Sequence, residues 1–139
     1  MEPMEIRIAL EARGVELEKP ADYAKLNEFE RGLKLSLDDF YRGIYLQFNG
    51  FHLSDQRSHI CLWQMQRIYD ERALFLEKDG NNYFAAGDFL IDSDILMFCL
   101  GRENIPIFFL YERKELASTA REFFTKLISG QFDVLRELR

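Results

Sequence analysis

The segment that most constrains the fold of this chain spans residues 27–50, where one helix is predicted to end and a second helix to begin and end. Ser36 is predicted to cap the second helix, and Asp39 is placed to reach back and complete a capping box. Asn49 and Gly50 are predicted to end it, because both tolerate the left-handed conformation of helix C-termini. The segment contains no nucleophile–base pair, metal-ligand cluster or phosphate-binding loop, so its character is architectural.

The N-terminal residues 1–19 allow two interpretations. Ile6, Ile8 and Leu10 alternate with other residues, a period of two that predicts a strand. Val15 resumes the alternation after a glycine, so a hairpin extension is possible. A helix through the same residues is the alternative. The next helix is predicted to open at Pro20-Ala21-Asp22, since proline is tolerated in a first turn.

The second half of the chain is dominated by apolar runs with turn residues between them. The short turns favour an antiparallel meander, because a parallel crossover needs a dozen residues or more. A loop is predicted to precede the first run, and a short helix is possible after it. The predicted segments are an exposed loop over 51–58, a buried strand over 59–63, a helical turn or two over 65–72, and strands over 83–90, 95–100 and 105–111.

A closing helix is predicted after these strands. Thr119 and Glu122 have the spacing of a capping box, and Gly130 is a plausible end. Because helices come first, then strands, then a helix, the order favours an α+β fold. We expect a single domain over 1–139, with a mostly antiparallel sheet of about four to six strands flanked by helices.

The net charge of −6 restricts the partners of this chain. It disfavours nucleic acid, which requires a basic footprint, and it disfavours anionic membrane surfaces. It suits a basic protein partner, since complementary charge speeds encounter. Cys61 and Cys99 lie inside apolar runs and are predicted to be reduced, as expected of a cytoplasmic protein. We expect a monomer or a weak homodimer.

Two clusters contain residue types that bind metal ions. His52, His59 and Cys61 lie close in sequence, but two ligands on one strand do not close a zinc site. Asp88, Asp92 and Asp94 lack the fixed spacing of a calcium loop and are predicted to be turn residues. We therefore expect no catalytic residues, no metal and no cofactor, and no enzymatic activity.

The segment 28–50 resembles the SUKH superfamily, named partly after yeast regulators of cell-wall (glucan) synthesis. Members carry a helix, a short break that contains a glycine and a proline, and a second helix that ends in an aromatic residue followed by Asn-Gly. This chain has Leu37 where the family usually has proline. The matching residues are Gly32, Leu33, Leu35, Leu37, Asp38, Phe40, Tyr41, Phe48, Asn49 and Gly50, with Ser36 inside the break.

Two further segments extend the resemblance over about residues 22–130. Residues 83–88 resemble the strand that leads to the family's glycine-bearing turn, and residues 116–124, which include Phe123, resemble its closing helix. The resemblance implies an α+β fold and a non-enzymatic role. Bacterial members are typically immunity proteins that neutralise toxin domains of polymorphic toxin systems, often nucleases or deaminases; other members are regulatory interaction modules.

Three functions follow as hypotheses. The first is an immunity protein that binds a basic toxin domain, and the second is a regulatory scaffold module of the cell-wall synthesis regulator type. The third is a small enzyme or ligand-binding domain with a pocket between sheet and helix. Partner contacts are expected on loops beside strands, since such loops are exposed. The candidates are His52, Asp55, Glu77, Asp79, Asp92 and Asp94.

Overall fold

The computed structural model of the chain describes residues 1–72, 76–78, 81–89, 94–100, 106–110 and 115–133. Within these ranges, helices and antiparallel strands form one α+β arrangement, which confirms the predicted fold class. The helices are α1 (Pro3–Ala12), α2 (Tyr23–Leu33), α3 (Asp39–Gln47), α4 (Met65–Asp70) and α5 (Ala120–Ser129). The strands are β1 (Ile60–Leu62), β2 (Leu76–Lys78), β3 (Asn81–Phe89), β4 (Asp94–Leu100), β5 (Pro106–Leu110) and β6 (Glu115–Ala117).

The strands form one antiparallel sheet in the order β1-β3-β4-β5-β6. β1 and β2 share one edge of β3, because β1 pairs with its C-terminal end and β2 with its N-terminal end. The predicted meander is confirmed, since β3 pairs with β4 and β4 with β5. The residues predicted to turn between these strands, 92–93 and 101–104, lie outside the described ranges.

The core lies between one face of the sheet and helices α3 and α5. Phe108 of β5 stacks on Phe123 of α5 with ring centroids 4.4 Å apart. Tyr41 of α3 meets Phe98 and Phe108 edge-on, each at 5.6 Å between ring centroids. Such offset and edge-on pairs add to the burial of apolar area that stabilises the core. Aromatic packing across the sheet thus accounts for much of the heavy Phe and Tyr content.

The predicted N-terminal strand is wrong, because residues 3–12 form α1. Ile6 and Leu10 are four residues apart and face the core, whereas Ile8 is 53% exposed. An even spacing of apolar residues fits a strand and also one helix face, since positions i and i+4 coincide on a helix. Pro3 at the start of α1 and a capping box between Glu2 and Glu5 favour the helix.

The predicted cap of α3 is also wrong. Asp38 caps the helix, and its carboxylate accepts a hydrogen bond from the backbone N–H of Tyr41 at 3.2 Å. Ser36 lies two residues outside and is exposed. Asp38 is the better cap because its carboxylate also adds a negative charge, which complements the positive N-terminus of the helix. The predicted cap of α5 is confirmed, since Thr119 accepts from the N–H of Glu122 at 3.0 Å.

Asn49 and Gly50 lie beyond the last turn of α3 and join it to β1 and α4. The Asn49 side-chain oxygen accepts from the N–H of Met65 at 2.9 Å. Gly50 has φ +86°, and a Cβ there would lie 2.7 Å from the carbonyl of Trp63. Only glycine fits at this position without strain, because the backbone is left-handed and also passes close to the backbone of Trp63. The predicted left-handed stop is wrong, because the C-cap of α3 is Phe48 in an extended conformation, and the Asn-Gly pair serves tertiary packing instead.

Among the described residues, no helix is long and apolar enough to cross a membrane.

Candidate protein-binding surface

An open depression lies beside the C-terminal end of α1. Its acidic members are Glu11, Glu16 and Glu18, and His52 lies across from them. We call it the acidic depression. It is lined by Glu11, Gly14, Val15, Glu16, Leu17, Glu18, Lys19 and His52.

Backbone pairing between two distant segments builds this depression. The N–H of His52 donates to the carbonyl of Glu16 at 2.8 Å, and the N–H of Glu18 donates to that of Gly50 at 3.0 Å. Leu17 forms an isolated antiparallel bridge with Phe51 and packs on the core. Since side chains alternate along an extended segment, Glu16 and Glu18 point away from the core while Leu17 faces it.

His52 is the predicted contact residue that the structure places in this depression. Its side chain is 61% exposed, and its Nδ1 lies 2.7 Å from a carboxylate oxygen of Glu18. The predicted position of His52 at an exposed loop is therefore confirmed. The acidic partners were not predicted, because Glu18 is 34 residues away in the sequence.

Asp55 was predicted to contact a partner, and that prediction is wrong because the residue is only 1% exposed. Its carboxylate pairs with the guanidinium of Arg13 and accepts the Ser58 hydroxyl at 2.6 Å. Arg13 also donates to the carbonyl of Leu127 at 2.9 Å. The Arg13–Asp55 pair therefore connects the end of α1, the loop and α5. The predicted exposed loop over 51–58 is partly interior.

Burial alone raises the pKa of Asp55, but hydrogen bonds from Ser58 and the charge of Arg13 outweigh burial and hold its pKa below the usual value. Asp55 is consequently ionised at neutral pH and balances the buried Arg13. This ion pair holds the end of α1 against the loop that carries Asp55.

Of the remaining predicted contacts, the two that the structure describes, Glu77 and Asp94, are not among the residues that line the acidic depression. Asp94 opens β4 at a partly exposed position, where its carboxylate accepts from the N–H of Ile95 at 2.8 Å. Glu77 lies on β2. Asp79 and Asp92 lie outside the described residues.

Asp88 was predicted to be a turn residue, and that prediction is wrong. It lies within β3, is 7% exposed, and accepts from Trp63 Nε1 at 2.8 Å. The guanidinium of Arg67 lies 4.0 Å from the centre of the Trp63 ring, within range of a cation–π contact. Trp63, which is 3% exposed, therefore belongs to the core. Gly87 beside it marks a register shift in β3 instead of a turn.

Both cysteines are free thiols. Within the described ranges, no group of three or more His, Cys, Asp or Glu side chains is placed to hold a metal ion.

A second concave region is a groove between α2 and α4, with a volume of about 410 Å³. Phe29 and Met65 are buried along it, and Tyr69 closes one side by lying against Gly32. A Cβ at Gly32 would lie 2.7 Å from the Tyr69 ring, which explains why a glycine stands there. This groove lies between helices, whereas the ligand-binding hypothesis placed its pocket between sheet and helix.

Several residues of the segment that carries the family resemblance hold the fold together. Glu30 accepts from the N–H of Leu37 at 2.7 Å and pairs with Arg42, which holds the break between α2 and α3. The hydroxyls of Tyr41 and Tyr45 lie 3.0 Å apart in the core, and burial raises the pKa of both. Leu37, Phe48 and Phe123 are buried.

No protein-family model matches this chain, and the search of curated proteins finds no significant match. The resemblance to the SUKH superfamily stays a prediction drawn from the motif residues.

Proposed function

We propose that this chain is a non-catalytic protein-binding domain, and that its role is that of an immunity protein which neutralises a cognate toxin domain. The observation that carries the proposal is the acidic depression, where the fold brings Glu16, Glu18 and His52 together at the surface. The resemblance of residues 28–50 supplies the immunity role, and the depression supplies the contact surface.

Charge supports a basic toxin domain of the nuclease or deaminase class. A domain that acts on nucleic acid carries a basic groove for the phosphate backbone. An acidic surface that covers such a groove competes with the nucleic acid and speeds encounter with the toxin. The exposed Glu16 carboxylate and the net charge of −6 both have the required sign.

The depression is also held in shape before any partner arrives. The segment that carries Glu16 and Glu18 is hydrogen-bonded to residues 50 and 52, and the buried Arg13–Asp55 pair anchors the chain just before it. A surface held in this way loses little conformational entropy on binding, which favours tight association. We place this activity in the cytoplasm, in keeping with the free thiols of Cys61 and Cys99.

Co-expression tests the proposal directly. The product of the neighbouring gene is expressed alone or with this chain, and growth is measured. We expect the wild-type chain to restore growth and to co-purify with the toxin. If the chain neither restores growth nor co-purifies, the immunity function is wrong.

A pair of charge reversals adds a matched control. Glu16→Lys lies in the acidic depression, whereas Glu28→Lys lies on the exposed face of α2, and the two change the net charge equally. We expect Glu16→Lys to slow association about ten-fold at low salt and Glu28→Lys to change it little. Equal effects would show that net charge, and not this depression, attracts the partner.

A regulatory scaffold module is the second candidate, and the same surface supports it. In that case the chain binds a cellular partner through the acidic depression, and no toxin is neutralised. Restored growth in the co-expression experiment separates the two functions.

A further inference from the structure

We propose that the partner is anchored by an exposed apolar stripe on α1, formed by Met4 and Ile8, and that the partner offers an apolar pocket ringed by lysine or arginine. This inference deepens the proposed function and rests on it. It identifies which side chains supply the affinity and what chemistry the opposing surface must have.

The stripe follows from the helix period. Met4 and Ile8 are four residues apart, so they lie one above the other on the same face of α1. Each is 53% exposed, while Ile6 and Leu10 on the opposite face are completely buried. Ala12, another four residues along, is also exposed. α1 is therefore apolar on two sides, and the sheet and helices of this chain cover only one of them.

The stripe runs into the acidic depression. Glu11 is exposed on the same side of α1, one turn after Ile8, and it also lines the depression. Glu5 is exposed beside Met4. An apolar centre bordered by charged residues is the usual composition of a protein interface, with the affinity in the centre and the orientation set by the border.

Charge selects the occupant of this surface. Glu5 and Glu11 flank the stripe, and Glu16 and Glu18 continue the acidic border. Arg7 lies 3.4 Å from Glu11, so part of that carboxylate's charge is already balanced. A second copy of this chain would bring like charges face to face, which is unfavourable. A partner with basic residues around an apolar pocket is complementary.

Tyr23 gives an internal comparison. At 66% exposed it is the most exposed large apolar side chain among the described residues, but it lies at the start of α2 as a single residue. Single exposed apolar residues are normal on protein surfaces. Met4 and Ile8 thus differ from Tyr23 because they lie together and have acidic neighbours. Substitution at each site can test this difference.

The test uses the full chain and a catalytically inactive form of the neighbouring gene's toxin domain, with affinity measured by calorimetry. We expect Ile8→Glu to weaken binding by at least about thirty-fold, the size of a hot-spot loss, and Tyr23→Glu to change it less than three-fold. Both variants should keep the wild-type melting temperature, because both side chains lie largely at the surface. Unchanged affinity of a folded Ile8→Glu variant would overturn the proposal.

A cross-linking experiment separates this inference from the proposed function. The photo-reactive residue benzoylphenylalanine is placed at position 8 or at position 23 of the full chain in cells of the source organism, and each adduct is identified. A basic protein that attaches only at position 8, and that no longer binds Ile8→Glu when purified, supports the stripe. If that protein is harmless when expressed alone, the stripe stands and the toxin function is wrong.

Other outcomes are equally decisive. A toxin that co-purifies but attaches at position 23, or at neither position, overturns the stripe and leaves the proposed function standing. If no protein attaches and none co-purifies, both are wrong.

Discussion

The two N-terminal regions of this molecule use their polar residues in opposite ways. In residues 27–50, which carry the recognisable motif, Glu30 and Asp38 hold the break and the start of α3 by accepting from the N–H groups of Leu37 and Tyr41. In residues 4–18, which carry no motif, Glu16 and Glu18 line the open acidic depression, and Met4 and Ile8 are exposed on α1. The segment with the clear pattern builds the scaffold, and the segment with the ambiguous pattern forms the candidate binding surface.

The largest loss of stability is expected in the motif region, residues 27–50. Phe48 is 1% exposed and packs against Phe51 and Phe124. We expect Phe48→Ala to lower the free energy of unfolding by about 3–5 kcal/mol, because it removes a large buried ring and leaves a cavity. Urea unfolding measures this loss. The matched control is Leu53→Ala at an exposed site, which should change stability by less than about 0.5 kcal/mol; equal losses would refute the assignment of the core.

The next largest effect tests the ion pair between Arg13, at the end of α1, and the buried Asp55. Asp55→Asn leaves the buried Arg13 without its counter-charge, and we expect a loss of about 3 kcal/mol at pH 7. Because folding lowers the pKa of Asp55, its ionised form stabilises the protein above the unfolded-state pKa of about 4. That contribution is lost as the pH falls through the lower folded-state value.

Urea unfolding of wild type and Asp55→Asn at several pH values checks this prediction. The difference in stability should be full at pH 7 and should shrink under strongly acidic conditions. A difference that stays constant down to the lowest pH would show that the pair does not contribute through the charge of Asp55.

The smallest effects come from a pair of glycines, one in each region. Gly14 and Gly50 have the same left-handed φ of +86°, but a Cβ at Gly14 meets nothing within 4 Å, whereas one at Gly50 meets the backbone of Trp63. We expect Gly14→Ala to cost about 1 kcal/mol from backbone strain alone. Gly50→Ala should cost about 2 kcal/mol in total, because its Cβ also presses on the backbone of Trp63. Thermal unfolding compares the two, and equal losses would contradict the crowding at Gly50.

Local signals explain which elements the sequence predicted. The meander and α5 were predicted because apolar runs are bounded by turn residues or by a cap such as Thr119, and these signals act over a few residues. α1 was ambiguous for the same reason, since the even spacing of Ile6 and Leu10 fits both a strand and one face of a helix. Pro3 and the Glu2–Glu5 capping box are local signals for the helix, and the burial of Ile6 and Leu10 against other elements adds a long-range one.

The candidate surface was less predictable than the fold because its residues meet through long-range pairing. His52 was identified from its place in a loop, but Glu18 lies 34 residues away from it. Asp55 was assigned to the surface on the same reasoning, and its partner Arg13 is 42 residues away. An aspartate in an exposed loop and an aspartate that pairs with a cation in the interior look the same in the sequence. Only the tertiary structure distinguishes them.

The central claim is that residues 4–18 bind the partner while the motif region supports the fold. Amide hydrogen exchange of the full chain, measured with and without the inactive toxin domain, tests it most directly. We predict slower exchange on binding over residues 4–18 and at 52–53, with residues 27–50 unchanged. Slower exchange confined to residues 27–50, with residues 4–18 unaffected, would contradict the account.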